Sequence, residues 1–186
     1  MASSYSTDLK LELMVTGEKA GLWGDITNTN LNILQQAIAG YESVSVNATN
    51  AITLAFTNGA LSNGKNAVLN ITGTPSANAT VNILDGIEKS YVIKNSTSGT
   101  STLTIKTASG TGFTFSGTDK GTRLCYADGT NVVDVNAAFT TINQFKLPAS
   151  DGTSGQAIVT DGSGTLSFGS AGITTGKAIA MAIVFG

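Results

Sequence analysis

Residues 67–107 read AVLNITGTPSANATVNILDGIEKSYVIKNSTSGTSTLTIKT. Four short runs stand out in it: AVLNITG, ATVNILD, SYVIKN and STLTIKT. Their Val, Ile, Leu and Thr side chains fit a pleated, half-buried surface. The residues between them include Gly, Pro, Asn and Ser, which suit tight turns. The same alternation continues outward, with AITLAFT at 51–57, GFTFSG at 112–117, TRLCYAD at 122–128 and NVVDVNA at 131–137. Asn-Gly and Asp-Gly links suit the positive φ angles of hairpins. Strands this frequent, without helical patterns between them, predict a mainly β body over residues 44–139. The expected form is an antiparallel, jelly-roll-like β-sandwich.

Composition agrees with that reading. Of 186 residues, 27 are Thr, 22 Gly, 18 Ser and 15 Asn, whereas charged residues are only 12 %. Hydrophobic residues still reach 41 %, enough to exclude a disordered polar tract.

Two different segments flank the β body. In residues 1–43, Leu9, Leu11, Leu13 and Val15 alternate with Lys10, Glu12 and Met14, the period of a strand. Leu31, Leu34, Ile38 and Tyr41 then recur at helical steps, which predicts one amphipathic helix. Thr27 or Asn28 is expected to cap its start, and Gly40 to help end it. Trp23, just ahead of the stripe, is expected to be buried. In residues 140–186, Gln156–Thr160 and Thr165–Phe168 are bracketed by Asp-Gly turns and predict a hairpin. The chain closes with eight uncharged, apolar residues, 178–185. Extended and exposed, they would aggregate, so a buried or intersubunit strand is expected.

Residue counts exclude much chemistry. The chain has no His, one Cys (Cys125) and one Arg (Arg123). No His-dependent triad and no imidazole-ligated zinc is available, and a lone Cys forms no intrachain disulfide. Cys125 reads as a small buried hydrophobe. Ten basic against twelve acidic residues leave a net charge of −2 and no basic footprint for nucleic acid. No apolar run is long enough to span a membrane as a helix. The first residues lack the apolar core of a secretion signal, so synthesis in a cytoplasm is expected. Asp85, Asp128, Asp151 and Asp161 each precede Gly and are explained by turns, and no carboxylate pair stands out as a catalytic dyad. Asp128, Asn131 and Asp134 offer oxygen ligands, but their spacing does not match the helix–loop–helix calcium motif. No catalytic, metal or cofactor residue is therefore assigned. NAT, NIT, NAT and NST at Asn47, Asn70, Asn78 and Asn95 match the glycosylation pattern by composition alone.

Three segments, in order, resemble virion proteins of tailed bacteriophages. The first is GEKAGLWGDITNTNLNILQQAIAG at 17–40. Its Gly17, Gly21, Trp23, Gly24, Thr27, Asn28, Asn30 and Leu31 are similar to the start of small tail-fibre-like proteins of marine and cyanobacterial phages. The second is YVIKNSTSGTSTLTIKTASGTGFTF at 91–115 with YADGTNVV at 126–133, and the third is LPASDGTSGQAIVTDGSGTLSFGS at 147–170. The resemblance implies a non-enzymatic structural or host-attachment protein of the virion, commonly a homotrimer, made in the host cytoplasm. Expected partners are further copies of the chain, other tail or capsid proteins, and a host-surface glycan. Capsid decoration is the alternative, and a carbohydrate-binding β-sandwich module a further one. Leu9, Leu11, Leu13, Trp23, Leu31, Leu34 and Ile38 are expected to form the attachment surface. Ile179, Met181, Ile183 and Phe185 are expected to form the oligomer strand.

Overall fold

The computed structural model describes residues 3–47, 50–135, 141–142, 145–170, 172, 179, 183 and 184. Among the described residues it is mainly β with one long α-helix, and the chain divides into two compact units, Met1–Ala137 and Ala138–Gly186.

The first unit opens with a small hairpin, β1 (Ser4–Tyr5) against β2 (Glu12–Leu13), followed by α1 (Trp23–Ala39). The alternating leucines predict a strand over Asp8–Val15, but only Glu12–Leu13 is extended. Lys10 adopts φ 53°, so the segment turns where alternation alone would keep it straight.

From Tyr41 the chain lays strands alternately into two open sheets. β3 (Tyr41–Ser45), β5 (Val68–Gly73) and β7 (Glu88–Thr97) fall in one. β4 (Ala51–Thr53), β6 (Ala79–Ile83) and β8 (Leu103–Thr107) fall in the other. Each strand pairs with the one two places earlier, in parallel. The expectation of antiparallel pairing is therefore corrected for these six strands. A Gly- or Asn-rich link marks a change of direction but not which sheet receives the next strand. Here each link crosses to the other sheet, so the next strand of the same sheet runs the same way.

The result is a coil. Register partners are 27 residues apart at Tyr41 and Val68, 24 at Val68 and Val92, and 24 at Ala79 and Leu103. Antiparallel strands close it. β9 (Gly112–Phe115) pairs with β8, while β10 (Thr122–Asp128) pairs with β7 and β11 (Val132–Asp134) with β10.

Inward side chains stack in register rows. Leu69 sits beside Ile93, and Val81 beside Ile105, all fully buried. Residues of both sheets join one apolar cluster that includes Tyr91, Phe115 and Cys125. Two other rows turn polar at the third coil. Val44 and Ile71 are followed by Asn95, and Ile83 by Thr107. Both polar side chains are buried, and both are satisfied. Asn95 donates to the Asp119 carbonyl at 2.6 Å and accepts from the Thr97 N–H and hydroxyl. The Thr107 hydroxyl donates to the Thr130 carbonyl and accepts from the Gly110 N–H.

The coil explains the abundance of Asn and Asp. At its corners, side chains reach one turn onward to backbone groups. Asn47 accepts from Thr74 N–H, Asn78 from Thr102 N–H, and Asp85 from Ser109 N–H. These separations of 27, 24 and 24 residues match the strand register. Gly73, at φ 110°, lies where a side chain would strike Asn47, so this corner requires glycine.

The second unit contains two hairpins. β12 (Thr141–Ile142) pairs with β13 (Phe145–Lys146), and β14 (Gln156–Thr160) with β15 (Leu166–Ser170). The Asp161 carboxylate accepts from the N–H groups of Ser163 and Thr165 and fixes the β14–β15 turn. Ile179, Ile183 and Val184 have helical backbone where a strand is expected, and their side chains are exposed in the single chain. Met181 and Phe185 lie outside the described residues.

Candidate interaction surface

The helix α1 starts without the expected cap. Leu22 holds the N-cap position and makes no side-chain cap bond. Thr27 and Asn28 lie inside the helix, where the Thr27 hydroxyl donates back to the Trp23 carbonyl at 2.7 Å. Gly40 does follow its end, and its N–H donates to the Gln36 carbonyl.

The helix carries two apolar faces. Ile33 is its buried residue, with Ile26 and Ala37 half-buried on the same side. The other face bears Trp23, Leu31, Leu34 and Ile38, within roughly 80° of arc at 3.6 residues per turn. All four are exposed; Trp23 keeps 66 % of its surface, Leu31 56 % and Ile38 80 %. Tyr41, at the start of β3, keeps 59 %. The expectation of a buried Trp23 is thus corrected. The sequence stripe was real, but the first unit packs on the neighbouring stripe through Ile33.

The N-terminal hairpin lies beside this face. Asn30 accepts from the Glu12 N–H at 3.0 Å and donates to the Glu12 carbonyl at 2.9 Å. Asn30 is one helical turn from Leu34, so β2 and its exposed Leu13 border the stripe. Leu9 and Leu11 are half-buried. The Ser3 hydroxyl and Lys19 hold the Glu12 carboxyl below the usual carboxylate range, and the Glu12 pairing raises Lys19 in turn. The structure thus brings Leu13, Trp23, Leu31, Leu34 and Ile38 to one region of the first unit. Ile179 and Ile183 belong to the second unit.

Sequence reasoning missed several polar residues here. Asn32, Gln35, Gln36 and Asn66 line a shallow cleft of about 290 Å³ with Tyr41 and Leu61. Lys65, on a short 3-10 turn, is fully buried and donates to the carbonyls of Thr57 and Ala60 at 2.7 and 2.6 Å. Burial, with Lys10 nearby, lowers its pKa to about 8. No sequence signal marked Lys65, since an isolated Lys is normally solvated.

The carboxylates are dispersed among structural tasks. Arg123 donates to both Asp119 and Asp134 and lies over the rings of Phe113 and Phe115. Asp128 accepts from the N–H groups of Thr130 and Asn131 and shapes the β10–β11 turn. Among the described residues, no group of three or more His, Cys, Asp or Glu comes together as a metal site. None of their helices is long and apolar enough to cross a membrane. Comparisons with protein-family models, with curated proteins and with solved structures found no match to this chain.

Proposed function

We propose that the chain is a non-enzymatic structural protein of a phage virion, a tail-fibre-like component that helps attach the particle to its host. One observation carries this reading: carboxylates and corner amides are engaged in turns and coil-to-coil ties, while large apolar side chains stand exposed along α1. That division suits a rigid body that docks through its N-terminal segment. The order of the three phage-like segments supports the same reading. In this view the two sheets face each other as a sandwich around their common apolar cluster.

The test is to locate the protein in a reconstruction of the particle that carries it. Density at the tail is the expected result. Density on the capsid lattice would replace this reading with capsid decoration. Absence from purified particles would sink both. A carbohydrate-binding role draws on one further observation, the uncharged amides grouped with Tyr41, since amides and an aromatic face suit a neutral sugar. Glycan-array binding lost on Tyr41→Ala would favour it.

A further inference from the structure

We infer that the exposed face of α1 is a self-association surface, occupied by the same face of a second copy of this chain. The inference takes up the same exposed face on which the proposed function rests and names a second copy as its occupant. It starts from spacing. Leu31, Leu34 and Ile38 recur at steps of three and four, with Thr27 four residues earlier, and so form a narrow seam along the helix. This is the a/d pattern by which one helix meets another like itself, side chains of each filling the gaps of its partner.

Charge points to the same occupant. Asp25 is the single charged residue in α1. It lies about 180° around the helix from Leu34, away from the seam. The helix residues beside the seam include Asn30 and Gln35, neither of them charged. Within the helix, two copies therefore meet without like-charge repulsion.

Area is sufficient. Trp23, Leu31, Leu34 and Ile38, with Leu13 and Tyr41 at the margins, present on the order of 700 Å² of exposed side chain. A standard interface buries about 800 Å² per partner. Single exposed hydrophobes are ordinary on a protein surface, but a continuous stripe of this size is the mark of an interface.

The full-length chain tests this directly. Sedimentation velocity from 1 to 50 µM should show a concentration-dependent oligomer. Ile38→Glu should raise the concentration needed for assembly at least about tenfold. Ile38 is so exposed that the variant should keep the wild-type circular dichroism. A second variant avoids dependence on that substitution. Leu31 sits at the midpoint of α1, so two seams meet there whether the helices run parallel or antiparallel. Leu31→Cys should form an intersubunit disulfide under mild oxidation, whereas Asn32→Cys, exposed on another face, should not. The native Cys125 is buried and does not compete. A monomer at 50 µM would overturn the inference and leave the virion reading to the particle experiment. So would an oligomer that Ile38→Glu leaves intact, or equal cross-linking of the two cysteine variants.

Discussion

Asn30 engages both backbone polar groups of Glu12, accepting from its N–H and donating to its carbonyl. A single helical side chain thereby acts as a third strand for the N-terminal hairpin. The arm is tied to the β body as well. Asp8 accepts from the Glu88 N–H, and the Gly59 N–H donates to the Lys10 carbonyl.

Asn30→Ala should therefore loosen β2 without unfolding the coil. The expected loss is about 1–2 kcal/mol, confined to this region. Hydrogen exchange of the Glu12 amide should accelerate, while that of Ile93 and Ile105 in the buried rows stays unchanged.

Asn95 is the first buried polar residue in its row, and the structure depends on its amide. Asn95→Ala removes the acceptor used by Thr97 and the donor used by the Asp119 carbonyl. We expect a loss of about 2–4 kcal/mol, read from denaturant unfolding. Asn78→Ala, at an exposed corner, should cost about 1 kcal/mol or less. Equal losses at the two sites would refute the distinction between core and corner.

Alkaline pH should stabilise the first unit over a narrow window. Burial lowers Lys65 to about 8 and likewise Lys89, which also lies over the Tyr91 ring. Between pH 8 and the ordinary lysine range, the unfolded chain holds protons that the folded chain has released, so stability rises with pH. Burial pushes the Cys125 thiol up to about 12, and Tyr91 also upward. These act oppositely, because the unfolded thiol and then the unfolded phenol ionise first. Stability should therefore climb from pH 8, less steeply above about 9 where the unfolded thiol ionises, and level off near about 10 where the unfolded phenol follows. Cys125→Ala should steepen the climb between about pH 9 and 10, and Lys65→Met should flatten it. Thermal unfolding across this range is the measurement.

Arg123 holds β10 to β11 through Asp134, which is nearly buried, and reaches Asp119 at 2.7 Å. Arg123→Met keeps much of the packing on Phe113 and Phe115 but withdraws the guanidinium from Asp134. A loss of about 3 kcal/mol is expected, read from denaturant unfolding. Arg123→Lys should recover only part of it, because an ammonium cannot present a planar fork to two carboxylates.

Local chemistry was legible in the chain itself. β10 covers Thr122–Asp128 and β14 covers Gln156–Thr160, as their side-chain alternation and flanking turns indicate. The helix was legible from its stripe, and the burial of Cys125 from its setting in a strand. These features depend on neighbours within a few residues. Tertiary structure decided the rest. Whether the link after Gly73 folds back along its own sheet or crosses to the other depends on Asn47, about 27 residues away, and on the rows that the crossing completes. No local pattern encodes that choice, since a turn-forming residue permits both. The same holds for α1. Of the two apolar stripes on the helix, the first unit buries the one that carries Ile33, which leaves Trp23, Leu31, Leu34 and Ile38 facing outward. Periodicity identifies an apolar face, but only packing determines whether the chain itself covers it.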